Sequence, residues 1–327
     1  MKVLVPYPDV IVKIFKNIIG DEAEVVQSEQ SVESMLEQGG DADIIASFRV
    51  PGEYIRRASS LRMIQSFGAG IDLIDFDAVR ERGDVIVCNS HVNSAEVAEY
   101  AITLLFVLAK NIIPSDRELR AGNWIHRWGS PVPNIEIRGK SVLIIGLGHI
   151  GADIAKRLRC FDVTITAATY SGISRNSDLV DKVVRIEDVK SEVRGSDFVI
   201  LSLPLTDHSK GLVNRDFLSW MKPTSILVNI SRGQIVDELA LYDALKEKRI
   251  RGAGIDVWWR YPTPWRGLAI PPADVPFHEL DNIVVSPHRA AYSENIERDQ
   301  YQFVGENILR FIHGETPLNI IDLERGY

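Results

Sequence analysis

Short apolar, β-branched runs alternate with stretches of helical spacing along most of the chain. KVLVPY (2–7), DIIAS (43–47), LRMIQSF (61–67) and VIVCN (85–89) read as strands. Residues 10–19 and 53–59 carry helical periodicity between them, with Gly and Pro at the joints. A longer apolar helix is predicted from Ser94 to Lys110, where Ser94 can act as cap and Glu96 and Glu99 suit the positive end of the dipole. Being hydrophobic on most sides, it predicts a hinge helix sandwiched between two bodies. The rhythm then restarts with SVLIIG (141–146), VTITAA (163–168), DFVILSLP (197–204), SILVNIS (225–231), GAGIDV (252–257) and NIVVSP (282–287). Those six strands match a complete dinucleotide-binding sheet. Residues 293–312 form an amphipathic helix that returns the chain to the first body. The stretch 261–280, with five of the fifteen prolines, reads as an ordered surface loop.

This βαβα alternation predicts the α/β class, with two Rossmann-like, doubly wound parallel sheets. The chain has 327 residues, which suits two domains of ~100–200 residues each. The boundaries fall so that 1–96 plus 291–327 form a substrate domain and 97–290 a dinucleotide-binding domain.

Composition narrows the function classes. A net charge of −8, with Lys and Arg scattered, argues against a nucleic-acid surface. The only cysteines, Cys88 and Cys160, stand in unrelated segments without a CxxC, so neither a disulfide framework nor a zinc site is expected. A reducing cytoplasm is the expected home. The start, MKVLVPYPDV, is broken by Pro6 and Asp9 and does not read as a signal peptide. The apolar run at Leu104–Ala109 is far shorter than the ~20 residues of a membrane span.

The sharpest motif is GLGHIG, with Gly146, Gly148 and Gly151 between a strand and a helix. The first glycine suits a tight turn, the second lets a pyrophosphate approach the backbone, and the third allows close helix–strand packing. An NAD site would carry an acidic ribose reader about 20 residues on. Thr169 stands there instead, followed by Ser171 and Arg175, and no carboxylate appears before Asp178. That favours NADP, although a merely solvated Arg175 would leave NAD equally acceptable. Arg232, directly after a buried strand, offers a bidentate grip on a carboxylate, and His288 ends the last strand. FGAGIDLID (67–75) is either an ordinary turn or a small anion nest of backbone N–H groups.

Taken together, the motifs resemble those of the D-isomer-specific 2-hydroxyacid dehydrogenase family over roughly residues 40–312. The resemblance rests on GAGID (68–72), NSHVNSAEVAEYA (89–101), GLGHIG (146–151) and LPLTDHSKGLVN (203–214). MKP (221–223), NISRGQIVDE (229–238), GAGIDV (252–257) and SPH (286–288) complete it. It implies two similar domains flanking a cleft, a homodimer formed through the cofactor domain, and hydride transfer between a nicotinamide cofactor and a small 2-keto or 2-hydroxy acid. It further implies that Arg232 holds the substrate's carboxylate and carbonyl, that His288 is the acid–base, and that Ala69 and Gly70 bind the carboxylate by their N–H groups. The implied cofactor residues are Gly146, Gly148, His149, Ile150, Gly151, Thr169, Arg175, Leu203, Pro204, Ile230 and Asp256. Leu203 and Pro204 would lie near the adenosine, and Asp256 would bond the nicotinamide amide.

One position departs from the family pattern. GAGxDVFxxEP carries a Glu that orients the catalytic His and raises its pKa, and here that position is Tyr261. A phenol cannot be the neutral-pH anion; Glu279 is the other candidate partner, which the resemblance sets on a surface loop. Trp258, Trp259 and Trp265 suggest an apolar wall serving either packing or dimer contact. The alternative to an enzyme is a nucleotide-binding sensor or scaffold that has lost its acid–base pair; retention of Arg232 and His288 favours the enzyme.

Overall fold

The computed structural model of the chain describes residues 1–130, 132–262 and 269–326. Trp265 lies outside the described residues. Two compact units result, Met1–Asn93 with Ser293–Tyr327, and Ser94–Tyr292.

The smaller unit runs β1 (Lys2–Val5), α1 (Asp9–Ile19), β2 (Glu24–Gln27), α2 (Val32–Gly39), β3 (Ile44–Ala46), α3 (Gly52–Arg57), β4 (Met63–Gln65), α4 (Phe76–Arg82) and β5 (Ile86–Cys88). Its strands are all parallel, in the order β2-β1-β3-β4-β5. Alternation explains why the inner strands β1 and β3 read as continuously apolar. Val3 and Val5 join a core layer containing Phe15 of α1, while Leu4 between them joins the opposite layer with Tyr54 and Val79.

The larger unit follows with α5 (Ser94–Ala109), α6 (Ile112–Arg120), β6 (Ser141–Ile145), α7 (His149–Leu158), β7 (Thr164–Thr169), β8 (Lys182–Arg185), α8 (Val189–Gly195), β9 (Phe198–Leu201), α9 (Arg215–Trp220), β10 (Ile226–Asn229), α10 (Glu238–Lys246), β11 (Gly252–Ile255) and β12 (Ile283–Val285). Its seven parallel strands lie in the order β12-β11-β10-β9-β6-β7-β8. Val142 and Ile144 face α5 and α7, and Leu143 and Ile145 face the layer of α8, α9 and α10. α5 lies directly on this sheet: a Cβ on Gly254 would sit 2.9 Å from Leu104 Cβ. No single described helix is long and apolar enough to cross a membrane.

The chain then returns to the smaller unit with α11 (Ile296–Ile312), which packs on α1. Asn307, buried, donates its amide to Gln65 Oε1 at 2.7 Å, and Leu318 N–H donates to Asn307 Oδ1 at 2.7 Å. The last segment pairs with the sheet: Cys88 and Ile320 form an antiparallel bridge, and Ile321 N–H donates to Val87 O at 2.8 Å.

The α/β class holds, but the strand count read from the sequence needs correction. The larger sheet has seven strands rather than six, and the smaller has five rather than four. The two extra strands, β2 and β8, are edge strands whose outer residues are exposed, so neither shows the fully apolar run of its neighbours.

Candidate active site

Sheet order selects the ligand end. In the larger sheet the direction of winding reverses between β6 and β9, and ligands of open α/β sheets bind beyond the carboxyl ends at such a point. The GLGHIG turn follows β6, and Leu203 and Pro204 follow β9. Gly146 has φ of +98°, and a Cβ there would lie 2.5 Å from Ser202 O. A Cβ on Gly151 would lie 2.1 Å from Gly146 O, so the first turn of α7 packs directly against the strand end. Gly148 has open space where its Cβ would stand, the cradle a pyrophosphate requires beside the N-terminus of a ten-residue helix. These residues fit a dinucleotide. Leu203 N–H donates to Ser231 Oγ at 3.0 Å, tying this rim to the turn after β10, where Ile230 is buried.

The segment after β7 folds over that turn. Ser174 Oγ and Asn176 Nδ2 both donate to Leu147 O at 3.1 Å, and Thr169 Oγ1 donates to Ile173 O at 3.2 Å. The fold-over brings Arg175 Nη2 to 2.9 Å from His149 Nε2. A cavity of about 310 Å³ is lined by both residues with Asp153, Lys156 and Asn176. Burial first, then the charge of Arg175, hold the His149 imidazole below the usual histidine range, against a smaller pull from Asp153. Lys156 had no signal in the sequence beyond its place two turns into α7.

Three adjacent parallel strands, β10, β11 and β12, deliver Arg232, Asp256 and His288 at their carboxyl ends. A Cβ on Gly233 would lie 2.4 Å from the Trp258 carbonyl, so the turn after Arg232 packs tightly on the Trp258–Tyr261 segment. Arg232 Nη1 donates to Ser231 O at 2.8 Å. His288 is exposed and adopts φ of +54°, a left-handed conformation that costs a non-glycine residue of order 1–3 kcal/mol.

Asp256 holds that conformation in place. Its carboxylate is buried and accepts from Arg289 N–H at 2.9 Å, Ala290 N–H at 3.0 Å and Ser286 Oγ at 2.5 Å. Because the Ser286 proton goes to Asp256, Tyr100 donates to Ser286 Oγ, at 2.7 Å. Trp258 Nε1 donates to Ser286 O at 2.7 Å, clamping the same loop from the other side. Tyr100 has no catalytic signal in the sequence, since it reads as one more position of an apolar helix.

Tyr261 stands against His288. Its ring centroid lies 5.3 Å from that of His288, and its phenolic oxygen accepts Trp258 N–H at 3.0 Å. Glu279 lies exposed on a short turn at Phe277–Glu279. Trp258 and Trp259 serve packing: both join the core, and Trp259 stacks on Phe277 with centroids 5.5 Å apart.

In the smaller unit, Ala69 and Gly70 are half-buried in the turn after β4. Gly68 O accepts from Ser90 N–H at 3.2 Å, and Ala69 O accepts from Asn89 Nδ2 at 3.0 Å. In a trans peptide the N–H points opposite to the carbonyl, so the N–H groups of Ala69 and Gly70 face away from these donors.

Residues 102–290 match the family described as D-isomer specific 2-hydroxyacid dehydrogenase, NAD binding domain. The chain belongs to this family. Among its relatives, the glyoxylate reductase of Korarchaeum cryptofilum is 34% identical over 296 residues, covering 89% of this chain and 86% of the relative. The D-3-phosphoglycerate dehydrogenase of Methanocaldococcus jannaschii is 31% identical over 328 residues, which cover 99% of this chain but only 60% of that longer protein. The NADPH-dependent glyoxylate/hydroxypyruvate reductase of Sinorhizobium meliloti, solved with NADP and malonate, superposes with a TM-score of 0.80 at 28% identity, covering 98% of this chain and 97% of that one. As a member of the family, the dehydrogenase transfers hydride between a nicotinamide cofactor and 2-hydroxy or 2-keto acids.

Proposed function

We propose that the dehydrogenase reduces small 2-keto acids to D-2-hydroxy acids, and oxidises them in reverse, with Arg232 and His288 as its reacting side chains. The observation that carries this reading is the delivery of both residues, by the parallel strands β10 and β12 on either side of β11, to the carboxyl edge of the sheet that bears the dinucleotide turn. A bound nicotinamide supplies or receives the hydride. Arg232 offers a charge-assisted, two-pronged grip on a carboxylate and an adjacent carbonyl oxygen. His288 delivers a proton to the developing alkoxide in reduction and removes it in oxidation. In the smaller unit, the outward N–H groups of Ala69 and Gly70 offer a second carboxylate grip.

For the coenzyme we favour NADP, carried by Gly146, Gly148, His149, Ile150 and Gly151 with Leu203, Pro204, Ile230 and Asp256. Support comes from Thr169, a neutral side chain ending β7, and from the cations Arg175 and Lys156, which line one cavity with His149. Domain roles follow: substrate recognition for the smaller unit and coenzyme binding for the larger. A homodimer is favoured by the exposed apolar side chains of one arm, Trp124 at 69%, Ile125 at 61% and Trp128 at 102% exposure. Two free thiols, Cys88 and Cys160, suit a reducing cytoplasm.

The test is a panel of 2-keto acids, glyoxylate and hydroxypyruvate among them, assayed with NADPH and NADH by loss of reduced-nicotinamide absorbance. Turnover of at least one acid that is lost in Arg232→Ala is expected. Coenzyme binding without turnover of any acid would point instead to a nucleotide-binding protein.

A further inference from the structure

Arg175 and His149 meet through Nη2 and Nε2 at 2.9 Å. Arginine carries only donors, so Nε2 is the acceptor, and the imidazole is neutral with its proton on Nδ1. Among the described residues, Arg175, Lys156 and Asp153 are the charged groups that line the same cavity as His149. Asp153 is already engaged, by Arg157 Nη1 at 2.9 Å and by Ser94 Oγ at 2.7 Å. The pocket therefore holds two cations and a neutral imidazole, with its one anion turned to other donors.

We propose that His149 takes up a proton when the 2′-phosphate of NADP binds beside Arg175 and Lys156, so that preference for NADP over NAD rises as pH falls. The inference rests on the coenzyme assignment made above. A phosphate monoester brings nearly two negative charges at neutral pH, and its oxygens match the guanidinium fork better than one ring nitrogen does. Arg175 turns to the phosphate, Nε2 is released, and a proton from solvent converts it into a second donor. Burial and the Arg175 charge keep the imidazole below its usual pKa before binding, so the proton arrives with the ligand. NAD has a hydroxyl at that carbon and brings no charge to hold the proton.

The sign is diagnostic. The phosphate alone titrates near pKa ~6, so ordinary binding to cations would release a proton at neutral pH. Uptake is the opposite and identifies the imidazole.

Calorimetric titration of the whole chain with NADP and with NAD, in two buffers of different ionisation enthalpy, counts the protons. Affinities followed from about pH 6.5 to about pH 8.5 give the slope. We expect a net fractional uptake with NADP and none with NAD. The Kd for NADP should rise roughly tenfold across that range, while that for NAD changes less than about twofold. His149→Gln should abolish the uptake and flatten the slope; if it does not fold, the wild-type proton count and slope still decide. Tight NADP binding with no uptake, or with release, overturns the role of His149 and leaves the coenzyme assignment standing. NADP binding weaker than NAD binding at every pH overturns both. Equal uptake with NAD would move the proton to the pyrophosphate and overturn the 2′-phosphate assignment.

Discussion

The ring of Tyr261 lies against that of His288, centroids 5.3 Å apart and planes inclined at 50°, while its phenolic oxygen accepts Trp258 N–H at 3.0 Å. The residue supplies an aromatic surface rather than a carboxylate. A carboxylate beside an imidazole favours the protonated ring by about 1–3 pKa units, and a neutral phenol does not.

In the mechanism proposed above reduction needs His288 protonated, so Tyr261→Glu should move the alkaline fall of kcat/KM for keto-acid reduction to higher pH, by about one unit or more. The acid limb of hydroxy-acid oxidation, which needs the neutral ring, should move the same way. Tyr261→Phe keeps the ring and adds no charge, so its limbs should stay where the wild type has them. A limb that moves in Tyr261→Phe and not in Tyr261→Glu would refute this account.

Arg232→Ala should lower kcat/KM for reduction by roughly a thousandfold, with coenzyme affinity within about twofold of wild type. Arg232→Lys should recover part of the activity, since it restores the charge but not the two-pronged geometry. Separate coenzyme titrations and steady-state kinetics check both halves. Near-normal turnover in the alanine variant would make the residue a bystander.

Asp256→Asn replaces an acceptor of three hydrogen bonds with a group that is half donor, inside a buried site. Unfolding by urea should show a loss of about 1–3 kcal/mol. Turnover should fall with it, because the left-handed backbone at His288 loses its anchor. An unchanged midpoint with weaker coenzyme binding would refute the anchoring role and leave Asp256 only its proposed part in holding the coenzyme.

The thiols should behave differently. Burial alone pushes the Cys88 thiol up to about 12, whereas Cys160 is exposed. A disulfide-exchange reagent near neutral pH should therefore modify Cys160 in the folded protein and both residues in denaturant. Rapid native reaction at Cys88 would show that the edge at β5 opens readily.

Most of the architecture was legible because strands buried on both faces leave unbroken apolar runs. SVLIIG and DFVILSLP are such runs; the edge strands β2 and β8 are not, and they were missed. The glycine turn, Arg232 and His288 were legible from their places after strands. The support around them was not. Tyr100 reaches Ser286 across 186 residues of sequence, and Arg175 reaches His149 across 26. Neither pairing has a local pattern, since each depends on how a loop folds back over a strand end. Asp256 was legible as a strand-end carboxylate, but its hold on the loop after His288 appears only once the backbone direction at 288–290 is known.

The bridge between Cys88 and Ile320 also fixes a sequence of events in synthesis. Residues Ser94–Tyr292 are all available for packing before the segment from Ser293 onward has been made. The edge of the smaller sheet, by contrast, waits for Ile320 and Ile321, which are made after every residue of the larger unit. A nascent chain usually matures from its beginning. In this one the middle can mature before the start, and the strands of the smaller sheet stay unsealed until the whole larger unit has been made.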